Sequence, residues 1–290
     1  MARRALSATR ATDLLAFLAA HPGRGFTYSE LSKRLGINLS SMHSILVALT
    51  ESGFLSRSPA DQTYVLGPVL VAIGDAALDR NPVIDEARGG MRLLSRTLGL
   101  EMLAFVRAGT DTLCVARAGP RPTPGMVVRV GQRIPLIAPL ASVFVAWAEE
   151  EEVERWLVAG GVPQRDQSRM RGILEIVRER GYSVALEVEG RRRIAALLVE
   201  LADDPHSKSL QRELRGQIAE LGHGPYQLSR SHGSSMPIST LTAPVFDGEG
   251  GVALSITIQG FEKSLSRRAI DEIGAQLLEL TETLGAGEPG

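Results

Sequence analysis

The 290-residue chain has one cysteine, Cys114, and only 4% of its residues are aromatic. A single cysteine excludes an intrachain disulfide and is typical of a reducing compartment, so we expect a cytoplasmic protein. The sequence has no run of about 18 or more apolar residues, which is the length that would indicate a membrane span. The apolar stretch near the start is interrupted by Asp13, and it therefore predicts an amphipathic helix rather than a signal peptide.

Neither sign of charge is in clear excess, since the formal net charge is −1. Residues 1–66 carry seven Lys or Arg against four Asp or Glu, which leaves the rest of the chain acidic. Because domains commonly have about 100–200 residues, the length favours two of them. A mildly basic first domain favours contact with nucleic acid phosphates, although the excess of positive charge is small.

The sequence lacks the common patterns of catalysis. It contains no Gly-x-Ser-x-Gly nucleophile elbow and no glycine loop of the kind that binds phosphates. Cys114 lies in an apolar stretch that predicts a core position. We therefore expect no enzyme, no cofactor and no metal, even though acidic residues and histidines cluster in spacings that match no ligand motif: Asp203, Asp204, His206, His223 and His232.

The most informative stretch is 27–49. Thr27 precedes Glu30 by three residues, which is a capping-box start for a helix, and Gly36 stands where that helix would end. Asn38 can cap a second helix. The apolar residues of this second helix recur at i, i+3, i+4 and i+7 and predict one core-facing stripe: Met42, Ile45, Leu46 and Leu49.

The neighbouring segments predict a winged helix-turn-helix domain over 1–66. Upstream, Leu14, Leu15, Phe17 and Leu18 indicate a third amphipathic helix. Downstream, two short strands at 54–57 and 63–66 flank a turn at 59–62. In such a domain the start of the second helix reads the major groove. The side chains expected to do so are Ser40, Ser41, His43 and Ser44, with Asn38 before them.

Residues 67–81 predict a linker helix, 82–285 a second domain and 286–290 a tail. Interleaved helices and strands predict an α+β fold with a central antiparallel sheet. The strands are expected at 101–108, 112–118, 126–130, 134–136, 182–187, 238–246 and 252–260. The helices are expected at 82–98, 141–150, 151–158, 170–180, the stretch after Arg191, 207–221 and 264–284.

The chain resembles the IclR family of bacterial transcriptional regulators. The matching strings occur in family order: ATRATDLLAFLAAHPGRGFTYSELSKRLGINLSSMHSILVALTESGFLSRSP, YVLGPVLVAIGDAAL, VGQRIPL, ILEIVRERGYSV and TAPVFDGEGGVALSITIQG. The resemblance implies a winged head, a linker helix and a GAF-like effector-binding domain that work as a homodimer or homotetramer. It also implies a ligand-responsive regulator whose partners are a double-stranded DNA operator and a small-molecule effector. We expect a repressor, and activation stays open as the alternative.

The head departs from the family pattern because Leu39 and Ser44 stand where basic residues are usual, and Thr63 and Val65 make the wing less basic. No Lys or Arg occurs between Arg34 and Arg57. Phosphate contacts are therefore expected from helix-start hydroxyls and amides, and from the basic residues Arg3, Arg4, Arg10, Lys33, Arg34 and Arg57.

The effector domain departs further. After VGQRIPL the family typically has a His-Ala pair, where this chain has Ile137, Ala138, Pro139, Leu140 and Ala141. Ala185 stands where the family often has an acidic residue, and Thr240 where it often has a cysteine, while Ser255 and Thr257 keep hydroxyls on the last strand. Loss of polar groups favours an apolar or aromatic effector. The expected effector-binding residues are Leu140, Ala141, Ala185, Thr240, Ser255 and Thr257.

Residues 190–233 are longer than the family's connection and are interpreted as an insertion. Two roles stay open: a surface element that extends the contact between subunits, or a cover over the effector pocket. The run from Arg191 to Arg193 is a solvated helix start or a seat for an acidic group. Two other functions also stay open: a non-enzymatic sensor or scaffold with a weakened DNA-binding head, and an enzyme with a fused head.

Overall fold

The structure, a computed structural model, describes residues 5–120, 128–204, 207–222 and 235–285. The chain divides into two compact units. The first contains the residues up to Pro82 together with Val199–Gln211, and the second contains Val83–Leu198 with the residues from Arg212 onward. Part of the expected insertion thus belongs to the first unit and part to the second.

The first unit is a winged helix-turn-helix fold. Its helices are α1 (Leu6–Ala19), α2 (Tyr28–Arg34), α3 (Leu39–Glu51) and α4 (Val69–Asp79). Its strands are β1 (Phe26–Thr27), β2 (Leu55–Arg57) and β3 (Thr63–Leu66), which form an antiparallel sheet in the order β1-β3-β2. The two-residue strand β1 was not expected from the sequence. The three helices and the hairpin of the predicted head are confirmed.

Local hydrogen bonds set the helix boundaries in this unit. The Thr27 hydroxyl accepts the Glu30 amide, and the Glu30 carboxylate accepts the Thr27 amide, so the capping box is complete. Gly36 has a φ of 61°, a conformation that favours glycine, at the corner before α3. Asn38 Oδ1 accepts the Ser41 amide at 2.9 Å and caps α3.

The second unit has a six-stranded antiparallel sheet in the order β6-β5-β4-β9-β8-β7. Its strands are β4 (Glu101–Ala108), β5 (Asp111–Ala118), β6 (Arg133–Pro135), β7 (Ser183–Leu186), β8 (Ile238–Phe246) and β9 (Val252–Gln259). Its helices are α5 (Pro82–Leu98), α6 (Glu150–Ala159), α7 (Gln164–Arg180) and α10 (Arg267–Gly285). Two further helices, α8 (Glu189–Asp203) and α9 (Lys208–Leu221), have residues in both units.

Strand alternation divides the second unit into two cores, one on each face of the sheet. Met102 and Ala104 pack on one face with residues of α5 and α10. Leu103 and Phe105 point to the other face and pack with residues of α6 and α7. The predicted α+β fold with a central antiparallel sheet is therefore confirmed, with helices covering both faces.

Two predicted elements of the second unit are wrong. Residues 128–130, the described part of the expected strand 126–130, are not in a strand. The expected helix 141–150 is replaced by a three-residue 3₁₀ turn, Ser142–Phe144, which follows Ala141 in a left-handed conformation, before α6 begins. Val143, Phe144, Val145 and Ala146 are all buried, and such an all-apolar run has no helical periodicity that would distinguish it from a packed loop.

Helix α7 begins six residues earlier than expected and ends, as predicted, at Gly181, whose φ is 81°. Helix α8 confirms the apolar helix expected after Arg191. None of the described helices is long and apolar enough to cross a membrane.

Candidate functional sites

One face of α3 is exposed along its length. Met42 and Leu46 are buried on the opposite side, in the core of the first unit. The Tyr28 hydroxyl donates to the Leu39 carbonyl at 2.7 Å, which ties the start of α3 to α2. The exposed side chains follow two helical rows: Leu39, His43 and Val47 in one, and Ser40, Ser44 and Ala48 in the other.

The predicted DNA-reading residues lie together at the start of α3, but not all of their polar groups are equally available. The Asn38 side chain serves as the cap, and the Ser44 hydroxyl donates to the Ser40 carbonyl at 3.2 Å. Ser41 is half-buried and accepts a hydrogen bond from Arg10. His43 is exposed and stands edge-on to Tyr28, with ring centroids 6.3 Å apart.

The predicted phosphate-binding residues are spread over the first unit. Lys33 is exposed at the end of α2, and Arg10 on α1 lies against α3 through its bond to Ser41. Arg57 on β2 bonds to Gln62 and covers the Tyr64 ring at 5.5 Å. Arg3 and Arg4 lie outside the described residues.

Arg34 has a partner that the sequence did not indicate. Its guanidinium donates to the Asp203 carbonyl at 3.0 Å and lies 3.8 Å from the Asp203 carboxylate. The same carboxylate is 2.7 Å from Nε2 of the buried His21. These contacts hold Asp203, the last residue of α8, against Arg34 and His21 in the first unit.

The second unit contains a cavity of 170 Å³ on the α6–α7 side of its sheet. An engineered cavity of about 150 Å³ accommodates benzene, so this volume suits a ligand the size of one substituted ring. Among the described residues, eleven apolar ones line it: Leu103, Phe105, Val128, Ile134, Leu140, Ala141, Val143, Phe144, Ile194, Ala195 and Leu198.

The cavity is less apolar than the sequence led us to expect. In the part of the chain that the structure describes, eight hydroxyl-bearing residues line it as well: Thr112, Ser142, Ser183, Ser239, Thr240, Thr242, Ser255 and Thr257. The Thr242 and Thr257 hydroxyls bond to each other at 2.9 Å across neighbouring strands. Arg191 is the one residue with an ionisable side chain among the described residues of the lining, which also includes Gln259. A cavity of this composition can hold an apolar body and orient it through a few polar groups.

The structure brings together five of the six residues predicted to bind an effector: Leu140, Ala141, Thr240, Ser255 and Thr257 all line the cavity. Ala185 is buried in the adjacent core and does not line it. Helix α8 also contributes lining residues. From the sequence, a cover over the effector pocket stayed open as one role of 190–233, but Ile194, Ala195 and Leu198 were not named as binding residues. The helical spacing of Arg191, Ile194, Ala195 and Leu198 marked one face of that helix, but nothing in it indicated what the face would contact.

Two buried ionisable groups of the second unit, Cys114 and Glu101, are explained by packing and hydrogen bonding. Burial raises the pKa of the Cys114 thiol to about 12, so the thiol is protonated at neutral pH and is a poor nucleophile. The buried carboxylate of Glu101 is bonded to Arg117 and accepts a hydrogen bond from Gln259 at 2.6 Å. No cluster of potential metal ligands occurs among the described residues, and His206, His223 and His232 lie outside them.

Comparison with known proteins identifies both units. The family model of the IclR helix-turn-helix domain matches residues 7–59, and that of the IclR C-terminal domain of bacterial transcriptional regulators matches residues 75–201. Together they cover more than half of the chain. The HTH-type transcriptional regulator XynR of Escherichia coli is 26% identical over 55% of this chain, and the match spans 66% of XynR, just under two thirds of its length.

Solved structures show the same fold. An IclR transcriptional regulator from Alicyclobacillus acidocaldarius matches with a TM-score of 0.67 and 21% identity, over 98% of this chain and 99% of that one. An IclR homologue from Microbacterium hydrocarbonoxydans, solved in complex with 4-hydroxybenzoate, matches with a TM-score of 0.62 and 16% identity, over 96% and 97% of the two chains. The chain therefore belongs to the IclR family of DNA-binding bacterial transcriptional regulators, in which a helix-turn-helix domain is joined to a C-terminal ligand-binding domain.

Proposed function

We propose that this protein is a ligand-responsive repressor that binds a DNA operator through α3 and releases or engages it according to the occupancy of the cavity in the second unit. The observation that carries the proposal is that one chain combines a capped, exposed helix-turn-helix with a preformed cavity. A ligand changes the DNA affinity when it binds better to one of two arrangements of the heads than to the other.

On the DNA side, the α3 face that includes Ser40, His43 and Ser44 faces the base edges in the major groove. Arg10, Lys33, Arg34 and Arg57 contact phosphates, with Arg3 and Arg4 added from the sequence. Phosphate contacts fix the position of the head, whereas base contacts give sequence preference. The absence of Lys and Arg from α3 predicts modest affinity for a single head, so two heads acting together are needed.

The protein is proposed to act as a homodimer or homotetramer in the cytoplasm. Helix α4 supports this, because none of its residues is buried in the single chain, and Val71 and Ile73 are exposed large apolar side chains. Apolar surface of this kind is typical of a subunit contact. Because α4 follows the head directly in the chain, a contact through α4 would also set the spacing of two recognition helices.

On the effector side, we propose a small molecule with the size of one ring and an apolar or aromatic body. The cavity volume and its eleven apolar lining residues support this size and character. Arg191 on α8, which lines the cavity, favours a ligand that also carries an acidic group. The homologue from Microbacterium hydrocarbonoxydans was solved with 4-hydroxybenzoate, a ligand of this size and charge.

A mobility-shift assay over a salt series, with the upstream region of the protein's own gene, tests the DNA-binding part. We expect specific binding that weakens steeply as salt increases. Ser40→Ala or His43→Ala should reduce the preference for the operator over random DNA. Arg34→Ala should instead lower the affinity for all sequences alike and reduce the salt slope by about one. If the first pair leaves the preference unchanged, α3 is not the reading helix.

The competing function is a sensor or scaffold whose head makes protein contacts. The bond between Arg34 and Asp203 favours it, because it engages one of the expected phosphate-binding cations. In that case the same assay shows weak binding with no preference between operator and random DNA.

A further inference from the structure

The exposed face of α3 includes two large apolar side chains. Leu39 is 53% exposed and Val47 is 40% exposed, although both are large apolar residues in a well-packed unit. They lie eight residues apart, on the same row of the helix, with His43 between them. Met42 and Leu46 on the other side of α3 pack in the core, so Leu39 and Val47 are exposed because they lie on the outer face of the helix.

The same face lacks the groups that most often read guanine. Helix α3 contains no Lys or Arg, and its one acidic residue, Glu51, is its last. A bidentate contact from Arg or Lys to guanine is therefore not available from this helix. Ser44 already donates its hydroxyl proton to the Ser40 carbonyl, which reduces its use as a donor to a base.

The position of Leu39 is fixed before any DNA is bound. The Asn38 cap sets the first turn of α3, and the hydroxyl of Tyr28 holds the Leu39 carbonyl. Little backbone freedom is then lost when the side chain meets a base, so even a small apolar contact contributes to the binding free energy.

The apolar group that the major groove presents is the 5-methyl group of thymine. A helix rises about 1.5 Å per residue, so Leu39 and Val47 are about 12 Å apart along the axis. Since base pairs are spaced by about 3.4 Å, this distance covers three to four base pairs.

We propose that Leu39 and Val47 are specificity residues that recognise the methyl groups of two thymines, three to four base pairs apart in each operator half-site. This inference rests on the proposed role of α3 as the reading helix and names what that helix reads. Each methyl group taken out of water contributes about fourfold in affinity (about 0.8 kcal/mol).

The test uses the full-length protein and a duplex library with a random core. The preferred duplexes are selected and sequenced, and each thymine of the best duplex is then replaced in turn by uracil, which removes the methyl group and leaves the base pairing unchanged. Dissociation constants are measured by fluorescence anisotropy at one salt concentration.

We expect uracil at two positions of each half-site to weaken binding of the native protein about fourfold each. Leu39→Ala should remove the difference between thymine and uracil at one of these positions, and Val47→Ala at the other. Leu93→Ala is the matched control, because Leu93 on α5 is 69% exposed and belongs to the second unit. It should discriminate between thymine and uracil as the native protein does.

Two outcomes would overturn the inference, and they differ in what they leave standing. If a selected duplex binds specifically and His43→Ala alters its preference, but uracil substitutions change the affinity less than twofold, then α3 reads DNA without methyl contacts. If no duplex is preferred over random DNA, the proposed function itself fails and the inference with it.

Discussion

Replacing Arg191 by Gln tests whether α8 selects the charge of the effector. Arg191 is half-buried and is the one residue with an ionisable side chain among the described residues of the lining. The substitution removes the charge and keeps a hydrogen-bonding side chain, which is two bonds shorter than that of arginine. The ligand pair is 4-hydroxybenzoate and 4-hydroxybenzamide, which share the ring and differ in charge.

A hydrogen bond to a charged group contributes about 1.5–3 kcal/mol. Because Arg191 keeps some contact with solvent, the lower end applies, which corresponds to about a tenfold change in the dissociation constant. Isothermal titration should therefore show that Arg191→Gln weakens binding of the acid about tenfold. The amide should bind within twofold of its affinity for the native protein.

The neighbouring Arg192→Gln variant is the control, since the Arg192 guanidinium bonds to Glu187 at 2.8 Å and does not line the cavity. It removes the same charge from the same helix start, so any general effect of net charge appears in both variants. Arg191 does not select the charge of the effector if both ligands lose affinity equally in Arg191→Gln, or if the native protein does not prefer the acid to the amide.

Three further predictions concern individual contacts. Asn38→Ala should lower the free energy of unfolding of the first unit by about 1 kcal/mol, measured by urea denaturation, because the Ser41 amide loses its cap; an unchanged midpoint would contradict the capping role. Thr242→Val should lower the free energy of unfolding by about 1 kcal/mol, because it leaves the Thr257 hydroxyl without its partner, whereas the double variant with Thr257→Val should be nearly as stable as the native protein. If the two single changes are additive in a double-mutant cycle, the hydrogen bond does not couple these residues. Cys114 should not react with a thiol reagent at pH 8 in the native protein and should react fully in denaturant, because burial raises its pKa to about 12; rapid reaction of the native protein would show that the strand core is open.

The features of the head that were predicted correctly arise from contacts between residues that are close together in the sequence. A capping box needs only Thr27 and Glu30, and a helix cap needs only Asn38 and the amide three residues later. The hairpin strands likewise follow from alternation and a turn. Strand β1 was missed because its two residues become a strand only by pairing with β3, which lies more than thirty residues later.

The difference between local and distant contacts also explains which residues of the cavity could be predicted. The positions on β8 and β9 could be predicted because a resemblance marks the strands and alternation marks which residues share a face. The lining residues of α8 could not be predicted in this way, because periodicity shows that a helix has an apolar face but does not show which cavity that face lines. The bond between Arg34 and Asp203 joins residues far apart in sequence, and only the folded chain brings them together.

Binding of one duplex in the absence and presence of a ligand of the second unit tests most directly whether the cavity and the DNA-binding head are coupled. The dissociation constant of a selected operator duplex is measured by fluorescence anisotropy without ligand and with saturating 4-hydroxybenzoate, or with another one-ring carboxylic acid that binds more tightly by isothermal titration. We expect this dissociation constant to change at least fivefold, and the affinity for the acid to change by the same factor when the duplex is bound, since coupling is reciprocal. A dissociation constant that stays the same at saturating ligand would contradict it.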